Sequence, residues 1–219
     1  MSRGGTVAVS VEATPKKAFA TAVDWPGWSR SGKTEELALA ALADHAPRYV
    51  VVAKEAGEPF GPTDYEVVER TGGGGGTDFG VPSSITDLDR RPVDAAEAER
   101  RARLVEAAWI VFARVAAGAP AELRKGPRGG CRDRDTMVGH VAESDGYYAR
   151  EIGITGKKPD PTDHAATEAM RAEMLEILRR PSDGSALAGR TWTSRYAARR
   201  IAWHALDHAW EMEDRSDPT

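Results

Sequence analysis

The chain divides by the period of its apolar positions. Thr6 to Glu12 (TVAVSVE) alternates small apolar with polar residues, the period of a half-buried strand. Lys17 to Val23 (KAFATAV) predicts a second strand. Asp24-Trp25-Pro26-Gly27 supplies the turn after it, since proline fixes φ and glycine tolerates positive φ. Thr34 then caps a helix whose first turn carries Glu35 and Glu36, favourable at the positive end of the helix dipole. Leu37, Leu39, Ala41, Leu42 and Ala46 form its apolar side, and Pro47 is expected to end or bend it. Tyr65 to Val68 predicts a later strand.

Beyond residue 93 the period becomes helical. Asp94 to Glu97 (DAAE) reads as a capping-box variant opening a helix to about Ala117, with Leu104, Ala108, Val111 and Val115 inside and Gly118 and Pro120 as stops. A second helix is expected from near Asp135 to Ile152, and a third from Asp163 to Arg180 with Met170, Met174, Ile177 and Leu178 as its stripe. The fourth runs from Ser194 to Asp214. Four helices joined by loops suggest an up-down antiparallel bundle. The fold class expected is therefore α+β, with a small α/β unit at 1–70 and a bundle at 93–215.

Between them, within 71–92, lies TGGGGGTDFGVPSS. A phosphate-cradling loop would end in Lys-Ser or Lys-Thr and feed a helix directly, and the sequence offers neither. Five glycines carry the largest backbone entropy cost on ordering, so the expectation is a mobile connector.

Composition narrows the class of protein. With 219 residues, 41% hydrophobic and 29% charged, the chain can fill a core and solvate its surface. No run of eighteen apolar residues exists, so no membrane partner is expected. The first residues lack an apolar signal core, and the single cysteine, Cys131, suits a reducing compartment, so a cytoplasmic location is expected. A net charge of −4 argues against nucleic acid as the main partner.

Candidate chemistry centres on histidine. His204 and His208 lie four apart in the last helix, on one face beside Ala197, Ile201, Ala205 and Met212. His140 shares the inner side of the second helix with Met137, Val141 and Ser144. Three neutral imidazoles in a bundle core can bind a late first-row divalent ion and leave a position for water or substrate. The alternative is that these are core histidines satisfied by hydrogen bonds. Glu143, three residues after His140, is a candidate to orient an imidazole, or else a surface carboxylate. Asp207 points about 100° away from its neighbour and reads as a surface or supporting carboxylate. Arg128 and Arg132, in a basic loop with Arg124, Lys125 and Arg134, could grip an anionic substrate or simply be solvated. Cys131 has basic neighbours but no adjacent histidine, and incidental placement is the simpler reading.

Two segments, MVGHVAESDGYYAREIG and RRIAWHALDHAWEMEDR, resemble the second and fourth helices of the DinB/YfiT-like superfamily across roughly 93–215. That resemblance implies one divalent ion, zinc or nickel foremost, held by His140, His204 and His208. It also implies a small-molecule substrate and an S-transferase that uses a low-molecular-weight thiol such as mycothiol. FATAVDWPGWSRSGKTEELALAAL is similar to the HicB antitoxin-like strand–turn–helix unit, through Asp24, Pro26, Gly27, Gly32, Thr34, Glu35 and Glu36, with Trp28 where cysteine is common. This second resemblance implies an interaction module, possible homodimer formation, and a non-catalytic binding or regulatory protein as the alternative function.

Overall fold

A computed structural model of the chain describes residues 5–125 and 133–216. It is mixed α+β, a four-stranded sheet followed by a helical C-terminal region. Strands β1 (Gly5–Ala13), β2 (Ala18–Ala22) and β3 (Ser29–Gly32) form an antiparallel meander. Helices α1 (Glu35–Asp44) and α2 (Ala46–Glu55) then carry the chain across to β4 (Pro62–Gly72), which lies parallel to β1 and completes the order β3-β2-β1-β4. Val9 faces Ala22 across one ladder and Val67 across the other.

The turn before β3 is anchored from both sides. Gly27 adopts φ +92°, and a Cβ there would stand 2.7 Å from Leu206 in the last helix, so both backbone and packing require glycine. Trp28 is fully buried, stacks on Tyr49 at 5.4 Å and donates its indole N–H to the Leu42 carbonyl at 3.0 Å. The Tyr49 hydroxyl donates to the Pro26 carbonyl at 2.7 Å, closing the turn over the same aromatic core. Thr34 caps α1 as expected, accepting from the Leu37 N–H at 3.3 Å. Pro47 does not end that helix. The break falls at His45, and Pro47 sits in the first turn of α2, where a missing N–H costs nothing.

The glycine run is a packed segment and not the expected free connector. β4 extends into it as far as Gly72, and α3 (Gly75–Phe79) follows. Thr77, fully buried, donates to Glu12 Oε1 at 2.7 Å, while the backbone N–H groups of Ser83 and Ser84 donate to the same carboxylate at 3.1 and 2.9 Å. A buried carboxylate needs such donors, and here the segment supplies them.

Four long helices make up the rest: α4 (Ala95–Gly118), α5 (Arg134–Glu151), α6 (His164–Leu178) and α7 (Ser194–Arg215). Each begins with a side-chain cap: Asp94 accepts from Glu97, Asp133 from Thr136, Asp163 from Ala166 and Thr193 from Tyr196. Only the Asp94 half of the expected capping box forms. The Glu97 carboxylate pairs instead with Arg101 at 2.9 Å and Arg195 at 2.6 Å. α7 packs along α4 and against α5, and α6 packs against the same two helices. Fully buried alanines, including Ala102 and Ala108 on α4 and Ala197, Ala202, Ala205 and Ala209 on α7, let the helices approach closely.

The change from sheet to helices near residue 93 is not a gap in the core. Val9, Trp28 and Val52 belong to the same apolar cluster as Leu104, Ile201 and Met212. Ion pairs cross the same seam, Glu58 with Arg100 and Arg103 at 3.0 and 2.6 Å and Arg30 with Asp207 at 3.0 Å. Among the described residues no helix is long and apolar enough to cross a membrane.

Candidate metal centre

α7 sets two of the three histidines. Its apolar stripe is buried against α4 and α5, and His204 and His208 sit on one flank of that stripe, 7% and 9% exposed. α5 brings the third, the half-buried His140, onto them. Ring centroids lie 5.1 Å apart for His140–His204, 5.0 Å for His140–His208 and 4.7 Å for His204–His208. One nitrogen from each ring can be chosen so that all three lie within 4.8 Å of one another, close enough to bind a metal ion. A tetrahedral ion with nitrogens at about 2.0–2.1 Å separates them by roughly 3.4 Å, so the widest gap has to close by at most about 1.4 Å. Three neutral nitrogen donors without thiolate suit a late first-row divalent ion.

Glu211 orients one of these rings. Its Oε2 lies 3.1 Å from His208 Nδ1, and its Oε1 accepts from Arg215 at 2.8 Å. With Nδ1–H donating to Glu211, the lone pair of a neutral His208 is on Nε2. The His208 hydrogen bond, aided by Arg215 and opposed by partial burial, pulls the Glu211 carboxyl down to about 2. Glu211 is three residues beyond His208, and that H-x-x-E spacing on a helix was the available signal for it. Replacing Glu211 with glutamine is expected to weaken metal affinity about 10- to 100-fold while the ion count at saturation stays the same. A competition titration against a chelator measures this, and unchanged affinity would show that Glu211 does not support the ligand.

An aromatic wall stands beside the histidines. Tyr148, 9% exposed, packs edge-on against His204 at 5.6 Å and against Trp192 at 5.2 Å. Burial pushes its hydroxyl up to about 12, so it remains protonated near neutral pH. Trp203 meets Phe19 of β2 at 6.2 Å, which brings the sheet against this part of α7. Trp109 and Trp210 lie under Arg171 and against His45, as packing and not as part of the histidine cluster.

The other predicted site residues fall elsewhere. Glu143 is engaged by a lysine. It accepts from Lys158 at 2.9 Å, and that ammonium holds its carboxyl below the usual range. Asp207 is half-buried and paired with Arg30; burial pushes its carboxyl up, with Arg30 opposing. Arg124 and Arg134 are used at helix ends, donating to the carbonyls of Asp214 and Ala119 at 2.6 and 3.2 Å. Arg128, Arg132 and Cys131 lie outside the described residues.

Comparison with protein-family profiles, with curated proteins and with solved structures finds no match. The chemistry of the site therefore has to be read from its own geometry.

Proposed function

We propose that the chain is a DinB-like protein that holds one divalent ion, zinc or nickel, through His140, His204 and His208, and transfers the sulfur of a small thiol such as mycothiol to an electrophile. The observation that carries this reading is the convergence of three imidazoles from two helices, one of them half-buried and so open to a small molecule. When bound, such an ion supplies Lewis acidity that lowers the pKa of a water or thiol in its open position. The chain's own residues then have defined tasks. Glu211, itself held by Arg215, fixes the His208 ring through Nδ1 and leaves Nε2 free to ligate. Tyr148 and Trp192 exclude water from one side and offer an apolar surface to an electrophile. The neutral Tyr148 hydroxyl can donate to an oxyanion but cannot serve as a base near neutral pH.

A second reading, a non-catalytic binding or regulatory protein with a HicB-like interaction unit, has one observation in its favour. Two of the carboxylates expected near the cluster, Glu143 and Asp207, are engaged by cations and not held ready for a substrate. Turnover separates the two readings. With mycothiol and a chromogenic aryl halide, the sulfur–carbon bond forms, halide leaves and the thiol proton passes to solvent. The metal-loaded protein is expected to accelerate this conjugation, and His208→Ala to fall to the rate of the metal-free sample. Equal rates in all three samples, across a panel of thiols, would favour the binding protein.

A further inference from the structure

Arg200 precedes His204 by four residues on α7, about 6 Å along the helix axis and on the same face. Its guanidinium carbon lies 4.7 Å from the Trp203 ring and 5.2 Å from the Tyr148 ring, the same Tyr148 that packs on His204. Its neighbours in sequence are fully used: Arg199 by Asp89 at 2.7 Å and Arg195 by Glu97 at 2.6 Å. Arg200 makes no ion pair among the described residues. The guanidinium lies against Tyr148, yet its Nη1 is buried and donates to nothing among the described residues. The Trp203 indole N–H, on a side chain only 4% exposed, also has no acceptor.

Buried donors in folded proteins nearly always have an acceptor, so two without one on adjacent turns are informative. A guanidinium that lies against aromatic rings spends its faces on stacking. Its edge, with paired N–H groups in one plane, remains for a planar anion. A carboxylate matches that edge in a bidentate way. Asp207, which could have served, is turned to Arg30.

We propose that Arg200 and Trp203 form the anion-binding end of the histidine site, and that its substrate is a small carboxylate held one helical turn from the histidine cluster. The identity of the reacting end rests on the metal reading; the carboxylate subsite itself does not. This assigns substrate charge recognition to described residues of α7, in a place the basic loop with Arg128 and Arg132 was expected to fill.

The test uses the full chain, metal-free and metal-loaded, with benzoate and its neutral isostere benzamide as probes, followed by tryptophan fluorescence and calorimetry. Benzoate is expected to bind the metal-free protein at least about tenfold more tightly than benzamide, because only the carboxylate completes the guanidinium pair. Arg200→Gln is expected to weaken benzoate about tenfold or more, and Trp203→Phe by a few-fold, with metal stoichiometry unchanged in both. Arg200→Lys, which keeps the charge but loses the fork, should recover only part of the affinity. Equal binding of benzoate and benzamide by the wild-type protein would overturn the proposal without any variant, and so would undiminished benzoate binding by Arg200→Gln. Benzoate binding that appears only with metal present would also overturn it, since the ion and not Arg200 would then be the receptor. Failure of the protein to bind metal would strike the metal reading alone, because the metal-free titration still decides the subsite.

Discussion

Saturating the wild-type protein with zinc or nickel is expected to raise its unfolding free energy by about 4 kcal/mol at roughly a thousandfold excess over Kd, and His204→Ala is expected to abolish that gain. The reason is linkage. An ion that binds the folded triad, whose nitrogens come within 4.8 Å of one another only because α5 and α7 pack together, favours the folded state by mass action. Removing one of three imidazoles leaves two donors, too few to compete with water for the ion. Alanine is the strongest helix former, so α7 should keep its helical content and circular dichroism should be unchanged. Denaturant titrations with and without each ion, with elemental analysis of untagged protein, measure the effect. A His204→Ala variant that retains stoichiometric metal, or a wild-type protein that gains no stability from either ion, would remove the metal from the account. Binding of the ion to the unfolded chain would shrink the increment but affect both proteins alike, so their difference remains the quantity to read.

How much of this was legible in the sequence depends on the range of the interaction. The helix spans were, because caps and apolar stripes are local: Asp94, Asp133, Asp163 and Thr193 each accept from an N–H three residues on. His204 and His208 were paired by helical spacing alone, but that His140 meets them depends on how α5 lies against α7, which no local pattern records. That Glu143 meets Lys158 was not legible either, because Lys158 comes from the loop after α5. Glu211 was within reach of the helical rule and was passed over. The glycine run misled for an energetic reason. Its entropy cost argues for freedom, but Glu12 buried in β1 needs donors, and Thr77, Ser83 and Ser84 after the run supply them. The shared core was not legible because the contact of Gly27 with Leu206, far apart in the chain, is recorded by no local pattern.

The segment that leads from the glycine run into α4 is tied to the site helix by a buried ion pair among other bonds, and breaking that pair is expected to cost about 3–5 kcal/mol. Asp89 and Arg199 are each 7% exposed at the side chain and joined twice, Nε to Oδ1 at 2.8 Å and Nη2 to Oδ2 at 2.7 Å. Around the pair, the Thr86 N–H donates to Asp89 at 2.9 Å and Arg199 donates to the Ser84 carbonyl at 2.6 Å. Burial alone would push the Asp89 carboxyl up, but the charge and hydrogen bonds of Arg199, with Thr86, outweigh it and hold the group below the usual aspartate range. A carboxyl lowered in the folded state contributes stability that is complete above its unfolded pKa and is lost as pH falls through the folded value. Asp89→Ala should therefore destabilise the protein at neutral pH and flatten the acid limb of its stability curve. The large cost comes from the arginine left behind without its counter-charge, so adding Arg199→Met should restore part of the loss. Recovery should be incomplete, because the Thr86 N–H and the Ser84 carbonyl still lose their partners. Urea titrations of the wild type, the single variant and the double variant between acid and neutral pH make the comparison. A double variant no more stable than Asp89→Ala would show that packing around Asp89, and not the stranded charge of Arg199, sets the cost.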